Sequence, residues 1–363
     1  MSTTSPSAPY YSLCVDGGGS KCTAVLISSD GTTLTGEEGP CNPSTIGLEA
    51  TVQVIQSAIY LALAQDTLPQ HFSGIASLNI ASAWIGVAGY DRPTLAPAIN
   101  EAIEKLLGLT LGPRLRITAD IDLLAVNAAQ WNAESAIVLV AGTGSVAMSY
   151  GKAKGSKDDD TLVRTGRVGG WGPLLGDDGS GFAIGREALR VALRTSDTLQ
   201  STEGDYMTDD VEMPTLSRTV LDYFRQERQQ DGGADFHPHD LLSSILTSTT
   251  TSTTSTSPSP TKTIAHAARL VLDLAEKDGQ ARLILHKGAA SLADLVVELA
   301  TIKKLDPSKT ALIMAGGLLN HTLYNRMVRH KLEEIKLDFR WTTQVQSPAL
   351  EGAMYLAGRR IGV

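Results

Sequence analysis

Apolar positions at the start of the chain form two short runs on either side of the stretch Asp16–Lys21, and the turn sequence Ser28–Gly31 follows the second run. Short apolar runs separated by glycine or Asp-Gly turns are typical of neighbouring antiparallel strands. Three consecutive glycines would weaken a strand, so they mark the turn between the two runs. The pattern predicts a three-stranded antiparallel meander from Tyr10 to about Gly36.

Helix-like and strand-like patterns alternate along the rest of the chain, which favours an α/β fold. A last helix is predicted to begin at Ser347-Pro348, with Ser347 as its N-cap and Pro348 at its first position. The other predicted helices lie at about 47–65, 95–107, 264–277, 281–300 and 323–334, and the other predicted strands at 83–88, 115–119, 311–315 and 337–342.

A second copy of the glycine hairpin begins the second half of the chain. The stretch Val140–Ser145 (VAGTGS) matches Val15–Ser20 (VDGGGS), and an apolar run lies on both sides of each. Self-similarity at the head of two α/β halves indicates an internal duplication. Ala141 stands where the first copy has Asp16, so the copies share a scaffold and differ in their chemistry.

The length of the chain predicts two domains with a cleft between them, because 363 residues exceed the roughly 250–300 at which a single core stops growing. We place the first domain at 10–130 and the second at 131–346, with 347–363 as a C-terminal helix. The tail at 1–9 and the Thr/Ser-rich insertion at 247–263 are predicted to be disordered, because their composition buries little apolar surface. The insertion reads as an inert surface loop or as a phosphorylated regulatory segment.

A net charge of −8 argues against nucleic acid or an anionic membrane as the main partner. The chain has three cysteines, all within the first 41 residues, which fits buried thiols in a reducing compartment. The N-terminal stretch lacks the features of a secretory signal, and no apolar run approaches the ~18 residues of a membrane span. We therefore expect a cytoplasmic protein.

The first glycine hairpin is a candidate phosphate site. Gly17, Gly18 and Gly19 would let phosphate oxygens approach the backbone N–H groups, and Ser20 and Lys21 could add a hydroxyl and an ammonium group. The alternative is a plain tight hairpin. The spacing differs from that of a P-loop, and the turn leads into a strand where a P-loop leads into a helix.

Two aspartates at strand ends are candidates for chemistry. Asp16 beside phosphates suggests a magnesium ligand, direct or through water, and the alternative is a side-chain cap of the turn. Asp120 ends an apolar strand and could accept a proton from a substrate hydroxyl during phosphoryl transfer. It could instead cap the following helix, and Asp122 competes for the catalytic role.

Two further glycine-rich segments lie in the second half. The stretch Gly166–Arg190 carries more glycines than helix capping requires, together with Trp171 and the acidic pair Asp177-Asp178, and such loops often hold ligand hydroxyls. Gly316-Gly317 ends an apolar strand, where it could lie flat against a nucleoside or simply turn a corner.

Taken in order, these segments resemble the sugar-kinase/Hsp70/actin superfamily of ATPases. The stretches WIGVAG (84–89), VGGWGPLLGDDGSG (168–181) and SPALEGAMYLAG (347–358) are similar to its N-acetylglucosamine kinase branch, which includes glucosamine kinases and benzoyl-CoA-reductase activator ATPases. The resemblance implies two duplicated actin-like (ribonuclease H-like) domains, ATP with Mg²⁺, a homodimer, and a C-terminal helix that packs back on the N-terminal domain.

The resemblance also implies roles for single residues. Asp120 would be the general base for the 6-hydroxyl of N-acetylglucosamine, and Asn42 and Asp177 would bind the sugar. Ala88 and Val168 stand where relatives carry serine and cysteine, which affects the fine sugar specificity. The remaining implied contacts are at Gly170 and Gly181 around the sugar, at Thr143 and Gly144 between the sugar and the phosphates, and at Gly316 and Gly317 beside the adenosine.

Three functions therefore compete. The first is an N-acetylglucosamine kinase, with glucosamine kinase as its alternative. The second is an activator ATPase, which needs cysteines for a bridging iron–sulfur cluster, and no cysteine follows Cys41. The third is a sugar sensor without catalysis, which would have no use for Asp16 and Asp120.

Overall fold

The computed structural model describes residues 9–65, 72–152, 162–199, 213–230, 236–247 and 260–358. The predicted disorder of the N-terminal tail and of the Thr/Ser insertion concerns mainly 1–8 and 248–259, which lie outside the described residues. The chain divides into two compact units. The first comprises residues up to Ala133, the stretch Lys152–Val163 and the stretch from Val345, and the second comprises Glu134–Gly151 and Arg164–Gln344.

The first unit is built on a mixed five-stranded sheet. Its strands are β1 (Tyr11–Gly17), β2 (Cys22–Ser28), β3 (Thr33–Glu38), β4 (Ile80–Val87) and β5 (Leu115–Thr118), in the order β3-β2-β1-β4-β5. The meander β1–β2–β3 is antiparallel, while β4 pairs parallel with both β1 and β5. The carboxyl ends of β1, β4 and β5 therefore lie at the same edge of the sheet, which is where ligands bind in open α/β sheets.

Helices cover this sheet because their apolar faces are buried against it. They are α1 (Pro43–Ile46), α2 (Leu48–Leu63), α3 (Ala96–Leu107) and α4 (Val126–Gln130), and a 3₁₀ turn spans Asp120–Ala125. Buried residues of α2 and α3 pack with those of the strands in one apolar cluster. At Gly36 of β3 a Cβ would lie 2.1 Å from the carbonyl oxygen of Ala58, so glycine permits this close approach of α2.

The second unit repeats the strand order of the first. Its strands are β6 (Ser135–Ala141), β7 (Ser145–Lys152), β8 (Leu162–Gly169), β9 (Thr310–Ala315) and β10 (Trp341–Val345), in the order β10-β9-β6-β7-β8. The pair β6–β7 is antiparallel and β6–β9 is parallel, as in β1–β2 and β1–β4. The predicted α/β class with two duplicated domains is confirmed.

The helices of the second unit are α5 (Gly181–Leu199), α6 (Thr215–Gln230), α7 (Leu241–Thr247), α8 (Pro260–His266), α9 (Ala268–Leu274), α10 (Gly279–Lys303) and α11 (Thr322–Glu334). The N-cap of α10 is Asp278, whose carboxylate accepts the N–H of Ala281 at 2.8 Å. The long helix α10 buries ten residues, and the apolar cluster of this unit is formed around it.

The last helix, α12 (Pro348–Leu356), contacts β1, β2 and β4 of the first unit. Ala349 and Ala353 pack there with Cys14, Trp84 and Leu123. Small residues on α12 allow this close packing, because a Cβ at Gly352 would lie 2.4 Å from the Cys14 sulfur. Ser347 is the N-cap residue, yet its side chain makes no capping hydrogen bond.

Four details of the predicted elements are wrong. The helix predicted at 264–277 breaks at Ala267 into α8 and α9, and the strand predicted at 337–342 begins only at Trp341. The glycine-rich loop was predicted to begin at Gly166, whereas strand β8 continues to Gly169. Both ends of the insertion predicted to be disordered at 247–263 are helical, since Thr247 ends α7 and 260–263 begin α8, where Thr263 is buried. Within the described part of the chain, no helix has the length and apolarity that spanning a membrane requires.

Candidate active site

The first glycine hairpin connects β1 to β2. The N–H of Gly18 donates to the carbonyl of Lys21 at 2.9 Å, which closes the turn, and the N–H groups of Gly19 and Ser20 have no partner among the described residues. Gly17 is glycine for a different reason. A Cβ there would lie 2.8 Å from both the Cys41 sulfur and the Gly86 carbonyl oxygen. Two neighbouring N–H groups of a tight turn that have no partner in the protein can bind an anion.

The polar residues of this hairpin differ in their availability. Ser20 is exposed, whereas Lys21 places its ammonium group 2.7 Å from the carboxylate of Glu37. Both side chains of this ion pair are more than half exposed, so the pair adds little to stability. Lys21 can exchange Glu37 for a phosphate at low cost.

Asp16 lies on β1, one residue before the hairpin, and pairs with Thr23 of β2 and Gly86 of β4. The pKa of its carboxyl group is raised to about 7, mainly by burial and also by the negative charge of Asp120, while Lys21 lowers it. No hydrogen bond to the Asp16 carboxylate is found among the described residues, so the alternative of a turn cap has no support. A partly buried carboxylate without a donor fits a cation.

Asp120 opens the 3₁₀ turn that follows β5. The pKa of its carboxyl group is raised to about 6, mainly by burial and also by the charges of Asp122 and Asp91, while a hydrogen bond from the Ile121 backbone lowers it. The N-cap of the 3₁₀ turn is Ala119, not Asp120. A carboxylate with a pKa near 6 is still ionised at neutral pH and is a better proton acceptor than an ordinary aspartate.

The raised pKa of Asp16 predicts how the stability of the folded protein depends on pH. Replacing Asp16 by asparagine is expected to raise the melting temperature of the ligand-free protein more at pH 8 than at pH 5. The folded protein holds this proton up to about pH 7, whereas the unfolded chain releases it near pH ~4, so the aspartate costs stability as the pH rises between these values. Thermal denaturation of both proteins at the two pH values measures the difference.

Asp30 provides the matched control for this measurement. It is fully exposed, and a hydrogen bond from the Thr32 N–H lowers its pKa, so Asp30→Asn should give no stabilisation at pH 8. An equal gain for Asp16→Asn at both pH values would show that burial of its charge is not the cause.

Asn42 is the N-cap residue of α1. Its side-chain oxygen accepts the N–H of Ser44 at 2.9 Å, which leaves its amide NH₂ group as the part that could bind a ligand. The neighbouring residue Cys41 donates its N–H to the carbonyl of Gly18 at 2.9 Å. The structure thus attaches Asn42 to the first hairpin.

The second hairpin, between β6 and β7, is one residue shorter than the first, with three residues between the paired Ala141 and Ser145. The N–H of Gly142 bonds the carbonyl of Gly144 at 2.9 Å, while the N–H groups of Thr143 and Gly144 have no partner among the described residues. The first N–H groups of α5, at Gly181 and Phe182, donate to the carbonyls of Gly142 and Thr143 at 2.8 and 3.1 Å. The N-terminus of helix α5 therefore holds the hairpin in place by two backbone hydrogen bonds.

Asp177 lies against this second hairpin. A Cβ on Gly144 would be 2.8 Å from its carboxylate oxygen, and the N–H of Ser145 donates to it at 3.3 Å. Asp177 is buried, burial raises its pKa, and it is held in the left-handed region at φ 61°. Strain of this kind at a non-glycine residue is concentrated at functional sites, and here it aims the carboxylate at the hairpin.

Gly170 belongs to a loop held by Arg167. The Arg167 guanidinium donates to the carbonyl of Gly169 at 3.1 Å and to that of Gly170. Both glycines have positive φ values, 74° and 71°, which favour glycine. The following residues Trp171, Leu174 and Leu175 are 65%, 94% and 79% exposed, an unusual exposure for large apolar side chains.

The stretch Gly179–Gly181 connects this loop to α5 and packs against α10. A Cβ on Gly179 would lie 2.5 Å from the carbonyl oxygen of Gly288, and the carbonyl of Gly179 accepts the hydroxyl of the buried Tyr324 at 2.7 Å. Burial raises the pKa of the Tyr324 hydroxyl well above its ordinary value, which keeps it a donor. Gly181 contributes its N–H to the second hairpin and lies beside Ala265 of α8.

Gly316 and Gly317 follow β9 and play different roles. Gly316 has φ 99°, and a Cβ there would lie 2.4 Å from the carbonyl oxygen of Ala141, which also accepts the N–H of Leu318. Gly317 is exposed and has free space around its Cα. Gly316 thus connects β9 to the second hairpin, and Gly317 leaves an open backbone surface beside it.

Each unit therefore gathers its own candidate residues. In the first, Asp16, the glycine hairpin, Asn42 and Asp120 lie around the carboxyl ends of β1, β4 and β5. In the second, Thr143, Gly144, Asp177, Gly181 and Gly316 surround one hairpin. Sequence reasoning missed Arg167 and Tyr324, whose partners are backbone carbonyls and leave no mark in the sequence. It also gave Gly86 and Gly89 no role.

The sequence profile of the BadF/BadG/BcrA/BcrD ATPase family matches residues 13–357. The chain belongs to this family. It is 28% identical, over 86% of its length and 87% of the relative's, to an N-acetylmuramic acid/N-acetylglucosamine kinase of Clostridium acetobutylicum. It is also 27% identical to an N-acetyl-D-glucosamine kinase of Dictyostelium discoideum, in a match that spans 50% of this chain and about half, 54%, of that relative.

Solved structures match at the level of the fold. A candidate N-acetylglucosamine kinase from Chromobacterium violaceum superposes with a TM-score of 0.61 at 20% identity, covering 96% of this chain and 98% of that one. The superposition supports a shared two-sheet α/β architecture. At 20% identity it does not identify the substrate, which is argued from the site.

Proposed function

We propose that this protein is an ATP-dependent amino-sugar kinase that transfers the γ-phosphoryl group to the 6-hydroxyl of N-acetylglucosamine, giving N-acetylglucosamine 6-phosphate and ADP. Membership of an ATPase family supports the use of ATP. The names of two relatives, one of them similar along 86% of this chain, support an N-acetylated amino sugar as the acceptor.

One observation carries the proposal. Asp120 presents a carboxylate with a pKa of about 6 at the carboxyl end of β5, close enough to Asp16 for its charge to raise the pKa of that residue. Phosphoryl transfer to a hydroxyl needs a proton acceptor beside the attacking oxygen and positive charge beside the phosphates. Asp120 supplies the acceptor, and Asp16 is suited to hold the cation.

In the proposed reaction Asp120 accepts the 6-hydroxyl proton as the oxygen attacks the γ-phosphorus and the bond to the ADP oxygen breaks. In each unit the hairpin is suited to bind phosphate oxygens, through the free N–H groups of Gly19 and Ser20 in the first and of Thr143 and Gly144 in the second. The resemblance assigns the binding of the sugar to Asn42 and Asp177, with the backbone at Gly170 and Gly181, and the contact with the adenosine to Gly316-Gly317. Positioning and charge stabilisation supply most of the rate enhancement.

Magnesium enters as the counter-ion of ATP. The described residues contain no group of three or more His, Cys, Asp or Glu side chains that could hold a metal alone. Mg²⁺ usually keeps several waters and binds one or two carboxylates plus substrate phosphates. The unpartnered carboxylate of Asp16 fits that mode, directly or through water, and the ion would neutralise charge on the phosphates.

The purified protein tests the proposal directly. ADP release is measured with N-acetylglucosamine, N-acetylmuramic acid, glucosamine, glucose and no sugar, and the position of the new phosphate is read by NMR. We expect ADP release that depends on N-acetylglucosamine, with the phosphate on O6. ADP release that no sugar stimulates would favour an activator-type ATPase, and preferred use of glucosamine would favour the alternative kinase.

Two further expectations belong to the same proposal. The resemblance implies a homodimer, which light scattering of the purified protein measures. It also implies activity that depends on Mg²⁺, which chelation by EDTA should abolish and added Mg²⁺ restore.

A further inference from the structure

The stretch 84–89 (WIGVAG) at the end of β4 has no chemically reactive side chain. It nevertheless lies close to the two residues of the first unit proposed to act on the sugar, Asp120 and Asn42. Trp84 donates its indole N–H to the Thr118 hydroxyl at 3.0 Å, two residues before Asp120. Gly86 lies between Asp16 and Thr118 in the sheet. Gly89 follows the strand and lies against Asn42.

Gly86 is crowded by the turn that carries the base. A Cβ added there would lie 3.0 Å from the Cα of Asp120 and 2.7 Å from a methyl carbon of Leu123. Gly86 does not have a positive φ, so its backbone would accept any residue. Space alone requires glycine at this position.

The turn cannot simply move away from a larger residue. Leu123 is fully buried and packs with Cys14, Trp84 and Ala353, and a Cβ on Gly352 of α12 would lie 3.8 Å from its other methyl carbon. The 3₁₀ turn is thus held between β4 on one side and α12 on the other. A methyl group at Gly86 would have to move the backbone of Asp120 by a few tenths of an ångström.

Gly89 is close to Asn42, although its φ of 78° also favours glycine at this position. A Cβ there would lie 3.1 Å from the Asn42 side-chain oxygen and 3.4 Å from the Ser44 hydroxyl, the two residues that form the cap of α1. Since the Asn42 oxygen is fixed by the Ser44 N–H, crowding at Gly89 would turn its amide away from its present direction.

We propose that Gly86 and Gly89 are positioning residues of the acceptor site, in which Gly86 sets the place of the Asp120 carboxylate and Gly89 sets the direction of the Asn42 amide. This inference rests on the proposed function, because it takes Asp120 as the base and Asn42 as a sugar ligand. Two glycines three residues apart would thus have separate effects, Gly86 on proton transfer through Asp120 and Gly89 on sugar binding through Asn42.

The test is a split between kcat and KM. Gly86→Ala is expected to lower kcat by ~10- to 10²-fold with a nearly unchanged KM for the sugar, because small displacements of a catalytic group cost this much. Gly89→Ala places alanine at a strained φ of 78° and should therefore also lower the melting temperature. It is expected to raise the sugar KM about fivefold, as for the loss of one hydrogen bond, with kcat largely retained. The same change in both parameters for both variants would overturn the proposal.

Gly352→Ala is the matched control, since its Cβ would crowd the same apolar cluster at the Cys14 sulfur without reaching Asp120. It should lower the melting temperature at least as much as Gly86→Ala and leave kcat near the wild-type value. A fall in kcat for Gly352→Ala as large as that for Gly86→Ala would mean that general destabilisation explains the loss.

A double-mutant cycle separates action through Asp120 from action elsewhere. In the Asp120→Asn background, Gly86→Ala should cost little further activity, whereas independent effects would multiply. If the wild-type protein phosphorylates none of the sugars, the proposed function is wrong, but the effect of Gly86 on the position of the Asp120 carboxylate can still be tested. A crystal structure of Gly86→Ala would then show the Asp120 carboxylate displaced, and an unmoved carboxylate would refute the inference.

Discussion

Replacing Asp120 by asparagine is expected to lower kcat by ~10²–10⁴-fold, the usual cost of losing a general base. Asparagine keeps the size and hydrogen-bonding ability of the side chain, so the melting temperature should fall little or even rise, because a partly buried charge is removed. The wild-type kcat should decrease below pH ~6 as Asp120 becomes protonated, and the variant should lose this acid limb. Steady-state kinetics between pH 5 and pH 9 measures both effects.

Asp122→Asn is the matched control, because Asp122 lies in the same 3₁₀ turn. It should keep kcat within a few-fold of the wild type, with a small shift of the acid limb to lower pH, since the charge of Asp122 contributes to the raised pKa of Asp120. Full turnover by Asp120→Asn together with a large loss in Asp122→Asn would transfer the base role to Asp122.

The second large effect is expected in the choice of sugar. We predict a kcat/KM for N-acetylglucosamine at least ~10²-fold above those for glucosamine and glucose, since a site that hydrogen-bonds a substrate group rejects analogues lacking it. The resemblance puts Val168, Gly170 and Trp171 beside the 2-position of the sugar, and none carries a charge. Arg167 adds a positive charge to this segment through its bonds to Gly169 and Gly170, which disfavours the ammonium group of glucosamine.

Competition between the three sugars at equal concentrations measures this preference. Arg167→Gln should narrow the ratio between N-acetylglucosamine and glucosamine, because the charge that repels the ammonium group is gone. The control is Arg194→Gln, an exposed arginine of α5 whose side chain has no partner among the described residues. A higher kcat/KM for glucosamine in the wild-type protein would contradict the assignment of the acceptor.

The sequence predicted the elements that carry a strong local signal. The meander β1–β3, helices α2, α3, α10 and α11 and strands β4 and β5 lie within a few residues of their predicted places, because apolar periodicity and glycine or Asp-Gly turns mark them. The paired motifs at Val15 and Val140 also predicted the duplication, which the common strand order confirms.

Elements without such a signal were misplaced or missed. Strand β8 contains glycine and arginine and reads as loop, and it becomes a strand by pairing next to β7. The sequence also gives no signal for the break between α8 and α9, since Ala267 is a good helix former. Both depend on what the neighbouring chain offers, which a local pattern does not contain.

For the site, the sequence by itself determined which residue types stand at the ends of strands: Asp16, the glycine hairpins, Asp120 and the Gly-Gly after β9. Only the tertiary structure decided their state. Burial and the nearby charge of Asp120 set the pKa of Asp16, and steric contact with Asp120 explains glycine at position 86. Such effects fall off over a few ångströms in space, and these residues are 34 to 104 positions apart in the chain.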